Sequence, residues 1–268
     1  MHPIRVLRGM NFVRAVRGGV AGLLLAGLGA CATAPAPAAS SGAIDTSLAQ
    51  AALRAGAPSD ALQFADRVLA QHPNDTAALL TRAEALAKLG QPDPARTDFA
   101  RVLKREPQSG PALLGLGRLQ LGQDPAAAEA LLRRAVAAAP GNTAALIDLG
   151  IALDLQGRHS AAEAAYRQVL AAHPDLTAAR VNLALSLAMR GQGSQAIALL
   201  HKLARNPKAG PKLREDYAAV LTMAGEHAPA AAILAADLPP PQAAAALAAF
   251  AAASAPIGHP SPGGAEHP

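Results

Sequence analysis

The chain has 268 residues, of which 51% are apolar, 16% are charged and 2% are aromatic, and its formal net charge is +5. This high apolar and low charged content excludes a largely disordered chain. The single cysteine excludes an intrachain disulfide framework and a cysteine-rich metal site. Roughly a quarter of the residues are alanine. Because alanine is the best helix former, we expect an all-α fold.

Residues 1–30 have the pattern of a bacterial lipoprotein signal peptide. Four arginines and no acidic residue precede a short apolar run, VAGLLLAGL. The run is too short to cross a bilayer, which takes about 20 apolar residues as a helix, and the order of the segments is typical of a secretory signal. The sequence Leu28-Gly29-Ala30-Cys31 resembles the lipobox, which implies acyl chains on Cys31. The alternative is an ordinary signal peptide with an unrelated cysteine near its end.

Removal of the signal changes the charge balance. Residues 1–30 carry four of the 24 basic residues, so the mature chain would hold 20 basic and 19 acidic side chains. A nearly neutral chain lacks the basic surface that nucleic acid binding requires, so we predict no nucleic acid partner. Residues 31–41 are predicted to be the acylated cysteine and a flexible Ala/Pro/Ser tether. Ala32 resembles the sorting pattern of outer-membrane lipoproteins, which implies a lipid-anchored protein at the periplasmic face of the bacterial outer membrane.

Glycine, alanine and proline recur in fixed phase, about 34 residues apart, between residues 42 and 241. Each period predicts a first helix ended by the glycine, a second helix with the alanine at the helix contact, and a turn at the proline. These landmarks resemble the tetratricopeptide repeat (TPR), which implies an α-solenoid of about six helix pairs. The landmarks are Gly56, Gly90, Gly122, Gly157, Gly191 and Gly225; Ala61, Ala95, Ala128, Ala162, Ala196 and Ala230; and Pro73, Pro107, Pro140, Pro174 and Pro207.

The irregular repeats are the first, third and sixth. The third is one residue short, and the sixth ends on the run Pro239-Pro240-Pro241. Residues 242–253 are predicted to form a capping helix over the sixth repeat, because a terminal repeat otherwise exposes an apolar face. Residues 254–268 are rich in proline and glycine and are predicted to be a disordered tail.

No motif in the sequence predicts catalysis. Gly115-Leu116-Gly117 lies inside a predicted helix with no strand before it, so we expect small residues at helix contacts rather than a phosphate-binding loop. His72 and His173 precede equivalent prolines, which indicates a structural place at helix ends rather than a metal site. We therefore predict that the protein is not an enzyme and takes no cofactor, metal or small-molecule substrate.

The first helices of stacked repeats line a concave surface that commonly binds peptides. We assign to this surface the residues that lie ten and six positions before the landmark glycine in repeats two, four and five. In the short third repeat we take the equivalent residues, whose positions relative to the glycine are shifted by the deletion. Most are aliphatic, so an apolar helix or strand is the expected partner; whether some of them belong instead to the core between repeats stays open. They are Leu80, Glu84, Leu114, Arg118, Ile147, Ile151, Val181 and Leu185.

Residues 181–250 resemble the tetratricopeptide lipoprotein of Tad/Flp (tight-adherence) pilus assembly, its D component. The resemblance rests on Asn182-Leu183-Ala184, the loop at residues 206–211, the Ala-Asp-Leu-Pro sequence at 236–239 and the final helix. It implies a non-enzymatic outer-membrane scaffold that binds a protein partner, the secretin, as a pilotin-like assembly factor. The alternatives are a type IV pilus pilotin-type lipoprotein and a general periplasmic TPR scaffold in envelope assembly.

Overall fold

The computed structural model describes residues 41–254. The predicted signal peptide, Cys31 and the tether before residue 41 lie outside the described residues, as does the predicted tail beyond residue 254. Over the described range the chain forms thirteen α-helices joined by short turns, with no strand. The predicted all-α fold class is therefore confirmed.

The helices form six successive pairs followed by one further helix. The odd-numbered helices α1 to α11 are the first helices of the six repeats, the even-numbered helices α2 to α12 are the second helices, and α13 follows the last pair. Their bounds are α1 Ser41–Ala55, α2 Pro58–Gln71, α3 Thr76–Lys88, α4 Pro92–Arg105, α5 Gly110–Gln120, α6 Pro125–Ala138, α7 Thr143–Asp154, α8 His159–Ala172, α9 Thr177–Met189, α10 Gly193–Ala204, α11 Pro211–Met223, α12 His227–Asp237 and α13 Pro240–Ser254.

Landmark glycines end the first helices in a left-handed turn. Gly90 has φ +76°, and the next amide, that of Gln91, donates to the carbonyl of Leu86 at 2.9 Å. This turn satisfies carbonyl groups that the helix leaves without partners, and a residue without Cβ adopts it at no steric cost. Gly122 departs from the expectation, since it is not among the described glycines with positive φ. In that short repeat the turn leads directly to Asp124, which is the N-cap of α6 and accepts hydrogen bonds from the amides of Ala126 and Ala127.

Four of the five landmark prolines end the second helices through the residue before them. That residue lies outside the helical region, because the proline ring crowds its backbone. The carbonyls of two landmark prolines are held by the following repeat: Arg101 donates to Pro73 at 2.5 Å and Arg134 donates to Pro107 at 2.8 Å. The residues before the prolines have ψ of 77° at His72, 78° at Glu106, 85° at Ala139 and 73° at His173.

The six landmark alanines are all fully buried, which agrees with close helix contacts at these positions. Two glycines serve the same purpose in α5. A Cβ on Gly115 would overlap the ring of Phe99, and a Cβ on Gly117 would lie 2.7 Å from Cγ of Leu132. The interpretation of these glycines as helix-contact residues is confirmed. The large side chains opposite the small ones are also buried: Phe99, Leu132, Tyr166, Leu200 and Leu234.

The described helices fall into two compact blocks. The N-terminal block ends at Gly157 and contains α1 to α7; the C-terminal block begins at Arg158 and contains α8 to α13. In the C-terminal block α13 begins at Pro240, within the proline run predicted to close the sixth repeat. Prolines fit the first helical turn because amides there have no helical partner.

Candidate protein-binding surfaces

In the N-terminal block, part of the predicted concave surface is accessible. Leu80 and Leu114 are half-buried and pack with their inner sides against two clusters of core residues. Glu84, one turn after Leu80, is exposed, and the side chain of Arg118, one turn after Leu114, is 38% exposed. These four residues combine two aliphatic side chains with one acid and one base. This part of the surface is therefore less apolar than the eight assigned residues taken together.

One of these exposed charges, Arg118, is bonded to a buried carboxylate. Arg118 donates from Nε to Oδ2 of Asp148 at 2.5 Å, which joins α5 to α7. Burial raises the pKa of Asp148 above its usual range, and the nearby Arg118 opposes this shift. Loss of hydration also raises the pKa of Glu84, against the attraction of Arg118 and Lys88. The three charged groups therefore form a polar line across the first helices of repeats two to four.

The remaining predicted surface residues are buried. Ile147 and Ile151 are 9% and 3% exposed in the N-terminal block, and Val181 and Leu185 are 9% and 2% exposed in the C-terminal block. A partner could reach them only where the groups that cover them move aside. Their burial fits the alternative that some aliphatic residues at these positions belong to the core, and their role in binding stays a prediction.

Sequence reasoning missed a row of buried polar residues. They lie nine residues before landmark glycines, and the polar residue types at this fixed phase were the signal that could have identified them. A buried polar group costs free energy unless it is hydrogen-bonded. Thr81 bonds to the Ala77 carbonyl and Asp216 pairs with Lys212, each within its own helix, whereas Asp148 bonds to Arg118 of a neighbouring helix. Its members are Thr81, Asp148, Asn182 and Asp216, between 3% and 9% exposed.

Two further charged clusters join first helices to second helices. Arg82 holds Asp98 with two bonds, 2.7 Å from Nε and 2.8 Å from Nη2, and also reaches Asp66 at 3.1 Å. These groups line an open cavity of about 370 Å³ on the N-terminal block. In the C-terminal block, Glu163 is 1% exposed and accepts from Arg167 at 2.8 Å and from Arg190 at 2.7 Å.

Every charged group in these clusters has an oppositely charged partner, and pairing of this kind stabilises contacts between helices. Within residues 41–254, no group of three histidine, cysteine, aspartate or glutamate side chains is placed to hold a metal ion. The same range contains no helix with the length and apolar character needed to cross a bilayer.

Comparisons with known proteins give the same fold. A tetratricopeptide repeat family model matches residues 52–116, 119–185 and 155–208. A thermophilic TPR protein of Thermus thermophilus is 23% identical, with 68% of this chain and 99% of that chain covered and a TM-score of 0.57. A tetratricopeptide repeat protein from Parabacteroides merdae is 19% identical, with 78% and 84% covered and a TM-score of 0.60. No curated protein matches the chain.

A third solved structure is PilW, described as a widely conserved type IV pilus biogenesis factor. It is 25% identical, with 75% of this chain and 94% of PilW covered and a TM-score of 0.66. Proteins of the TPR fold are typically non-enzymatic scaffolds for protein–protein interaction. The family match covers more than half of the chain and coincides with the helix pairs described above, so this chain belongs to the tetratricopeptide repeat family.

Proposed function

We propose that this chain is a lipid-anchored adaptor of pilus assembly that binds a protein component through its first helices. The observation that carries the proposal is the likeness to PilW, which extends over 94% of that type IV pilus biogenesis factor. The lipobox-like sequence ending at Cys31 supports a lipid anchor. Ala32, rather than an aspartate, directly after Cys31 supports a location at the periplasmic face of the outer membrane.

Within pilus systems, we propose the Tad/Flp machinery and its secretin as the partner. This assignment is supported by the resemblance of residues 181–250 to the tight-adherence lipoprotein. The likeness to PilW favours a second candidate, a type IV pilus pilotin-type role. In that role the lipid anchor and the mode of partner binding would be the same, but the secretin would be a different one. A general periplasmic scaffold remains the third alternative.

The physical roles of the parts would be separate. Acyl chains on Cys31 hold the protein at the membrane, since two or three chains give stable anchoring where one is marginal. The tether allows the repeats to search for the partner, and anchoring raises the effective concentration of the two proteins at one surface. The accessible surface at Leu80, Glu84, Leu114 and Arg118 would take an amphipathic segment with both apolar and charged side chains.

A binding experiment tests this proposal. The secretin is solubilised in detergent from cells that carry wild-type protein or the double variant Leu80→Glu and Leu114→Glu, and co-purification is measured. We expect the double variant to lose the secretin, because two carboxylates on the apolar positions must be desolvated on binding. Ala137→Glu, on an exposed position of α6, is the matched control and should retain it. Equal recovery with all three proteins would contradict the proposed surface.

A further inference from the structure

Basic residues without acidic neighbours in the sequence are concentrated in one span of the C-terminal block. Between Asp175 and Glu215 the sequence holds seven lysines or arginines and no aspartate or glutamate. Three of the five lysines of the whole chain lie in this span. Residues 31–268 together carry 20 basic and 19 acidic side chains, so the excess of positive charge is a local property of this span.

Three of these seven basic side chains have no acidic partner within the described chain. Lys202, Arg205 and Lys208 are exposed, and none of them forms an ion pair with a residue between 41 and 254. The other four are paired with acids of the same block, which neutralise their charge. These pairs, with N···O distances of 2.6–2.9 Å, are Arg180–Asp175, Arg190–Glu163, Lys212–Asp216 and Arg214–Asp237.

The three unpaired cations lie together where α10 turns into α11, and we call them the basic turn. Lys202 and Arg205 are three residues apart at the end of α10, so their Cβ atoms lie on one side of the helix, about 5–6 Å apart. Lys208 follows in the turn itself. That turn has six residues, 205–210, whereas the four earlier turns from a second helix to a first helix have four residues each.

The backbone that carries Lys208 is held by hydrogen bonds on both sides. The Lys208 amide donates to Oδ1 of Asn206 at 2.9 Å, and the Ala209 amide donates to the Asn206 carbonyl at 2.8 Å. The carbonyl of Ala209 accepts from Arg214, which is itself fixed by Asp237, 2.7 Å from its Nε. A ligand therefore meets a turn of fixed shape, and less conformational entropy is lost on binding.

The side chains around the basic turn do not neutralise it. His201, one turn before Arg205, has its Nδ1 2.8 Å from the hydroxyl of Tyr217 on α11. Burial raises the pKa of Tyr217, the attraction of Arg205 opposes this rise, and Glu226 adds to it. Glu226 is thus an acid in this neighbourhood, but within residues 41–254 it forms no ion pair with Arg205.

We propose that the basic turn is a docking surface for an acidic protein segment that presents carboxylates on one face. The carboxylates of such a segment would supply the ion pairs that Lys202, Arg205 and Lys208 lack within the described chain. Attraction between opposite charges speeds the encounter and fixes the orientation of the partner. The inference does not rest on the proposed function, and the basic turn lies in a different block from the surface at Leu80 and Leu114.

Two other roles for these cations fit the structure less well. Basic clusters also bind anionic lipid, but those that do so commonly hold about four to eight lysines or arginines, and the basic turn has three. Cations at the end of a helix also stabilise it, which applies to Lys202 and Arg205 but not to Lys208, because Lys208 lies outside the helix.

The test measures binding of a labelled peptide with six glutamates, alternating with alanine, by fluorescence anisotropy at an ionic strength of about 0.15 M. The protein is the full mature chain with Cys31→Ser, so that no acyl chain contributes. We expect the triple variant Lys202→Gln, Arg205→Gln and Lys208→Gln to bind at least tenfold more weakly, because three exposed ion pairs of modest strength are lost together. Lys208→Glu alone, outside both helices, should also weaken binding.

The matched control is a second triple variant, Arg54→Gln, Lys104→Gln and Arg105→Gln. It removes the same charge from exposed residues of the N-terminal block that form no ion pair within the described range, and it should bind like the wild type. Equal loss of binding in both triple variants would overturn the proposal, because total charge would then be responsible.

Three further results would also overturn the proposal. The first is equal affinity of the wild type for a peptide with glutamine in place of glutamate. The second is unchanged peptide binding in the first triple variant together with lost sedimentation on phosphatidylglycerol vesicles, which would assign the surface to a membrane. The third is unchanged peptide binding together with a lower urea midpoint, which would assign the cations to helix stability. No pilus component enters these assays, so their failure is distinguishable from failure of the proposed function.

Discussion

The contact between Phe99 and Gly115 makes a quantitative test of the repeat packing. The ring of Phe99 on α4 is 1% exposed and fills the space that a side chain on Gly115 of α5 would need. Gly115→Ala therefore has two opposed effects: it favours the helix by about 1 kcal/mol, and it overpacks the contact at a cost of about 1–3 kcal/mol. We expect overpacking to prevail and the variant to be less stable than the wild type by up to about 2 kcal/mol.

Removal of the ring should reverse the sign. Phe99→Ala alone should cost about 3–5 kcal/mol, toward the upper end because Gly115 has no side chain with which to fill the cavity. In that background Gly115→Ala meets no ring, so it keeps its helix gain of about 1 kcal/mol and also refills part of the space. The same substitution should therefore destabilise the wild type and stabilise the Phe99→Ala variant.

The assay is urea unfolding of the four proteins, followed by circular dichroism. Gly110→Ala in the same helix is the matched control, since its Cβ would meet Ala138 at an ordinary 3.9 Å; we expect it to be neutral or slightly stabilising. An effect of Gly115→Ala with the same sign in both backgrounds would refute the packing argument, because the coupling between the two residues would then be absent.

Three further predictions concern charge and anchoring. Burial raises the pKa of Asp148 above its ordinary value of 3.8, so the folded chain binds the carboxyl proton of Asp148 more strongly than the unfolded chain does. The stability of the wild type relative to Asp148→Asn should therefore fall as pH rises from the unfolded pKa to the folded pKa. Urea unfolding at several pH values measures this difference in stability, and a difference that rises with pH would contradict the prediction. Glu163→Ala should cost about 1–3 kcal/mol by leaving Arg190 without its partner, whereas Asp93→Ala, at an exposed pair, should stay within about 0.5 kcal/mol in the same assay. Cys31→Ser should abolish palmitate labelling and release the protein from membranes; a labelled variant would disprove the lipobox assignment.

The repeat architecture was predictable because its determinants are local and recur in phase. A glycine that can take a positive φ, a proline that forces its predecessor out of the helix, and an alanine between two helices each act within a few residues. Their recurrence therefore predicts six helix pairs directly. Gly122 shows the limit of this reasoning: in a repeat that is one residue short, the turn is made by neighbouring residues, and Asp124 rather than the glycine defines where the next helix begins.

The binding surface was predictable only in part, because exposure depends on distant elements. Repeat position alone groups Leu80 with Ile147 and Val181, yet the first is half-buried and the other two are each 9% exposed. The pairing of Arg118 with Asp148 was missed for a related reason: each residue is polar in isolation, and only the packing of α5 against α7 brings them to 2.5 Å.

The central claim, that this TPR chain assists pilus assembly by acting on the secretin, is tested most directly by the amount of secretin multimer in the outer-membrane fraction of a deletion strain. The strain is complemented with the wild type, with the double variant Leu80→Glu and Leu114→Glu, or with the control Ala137→Glu. We expect multimers to be lost in the deletion strain, restored by the wild type and the control, and not restored by the double variant. Normal multimers and normal piliation in the deletion strain would contradict the account.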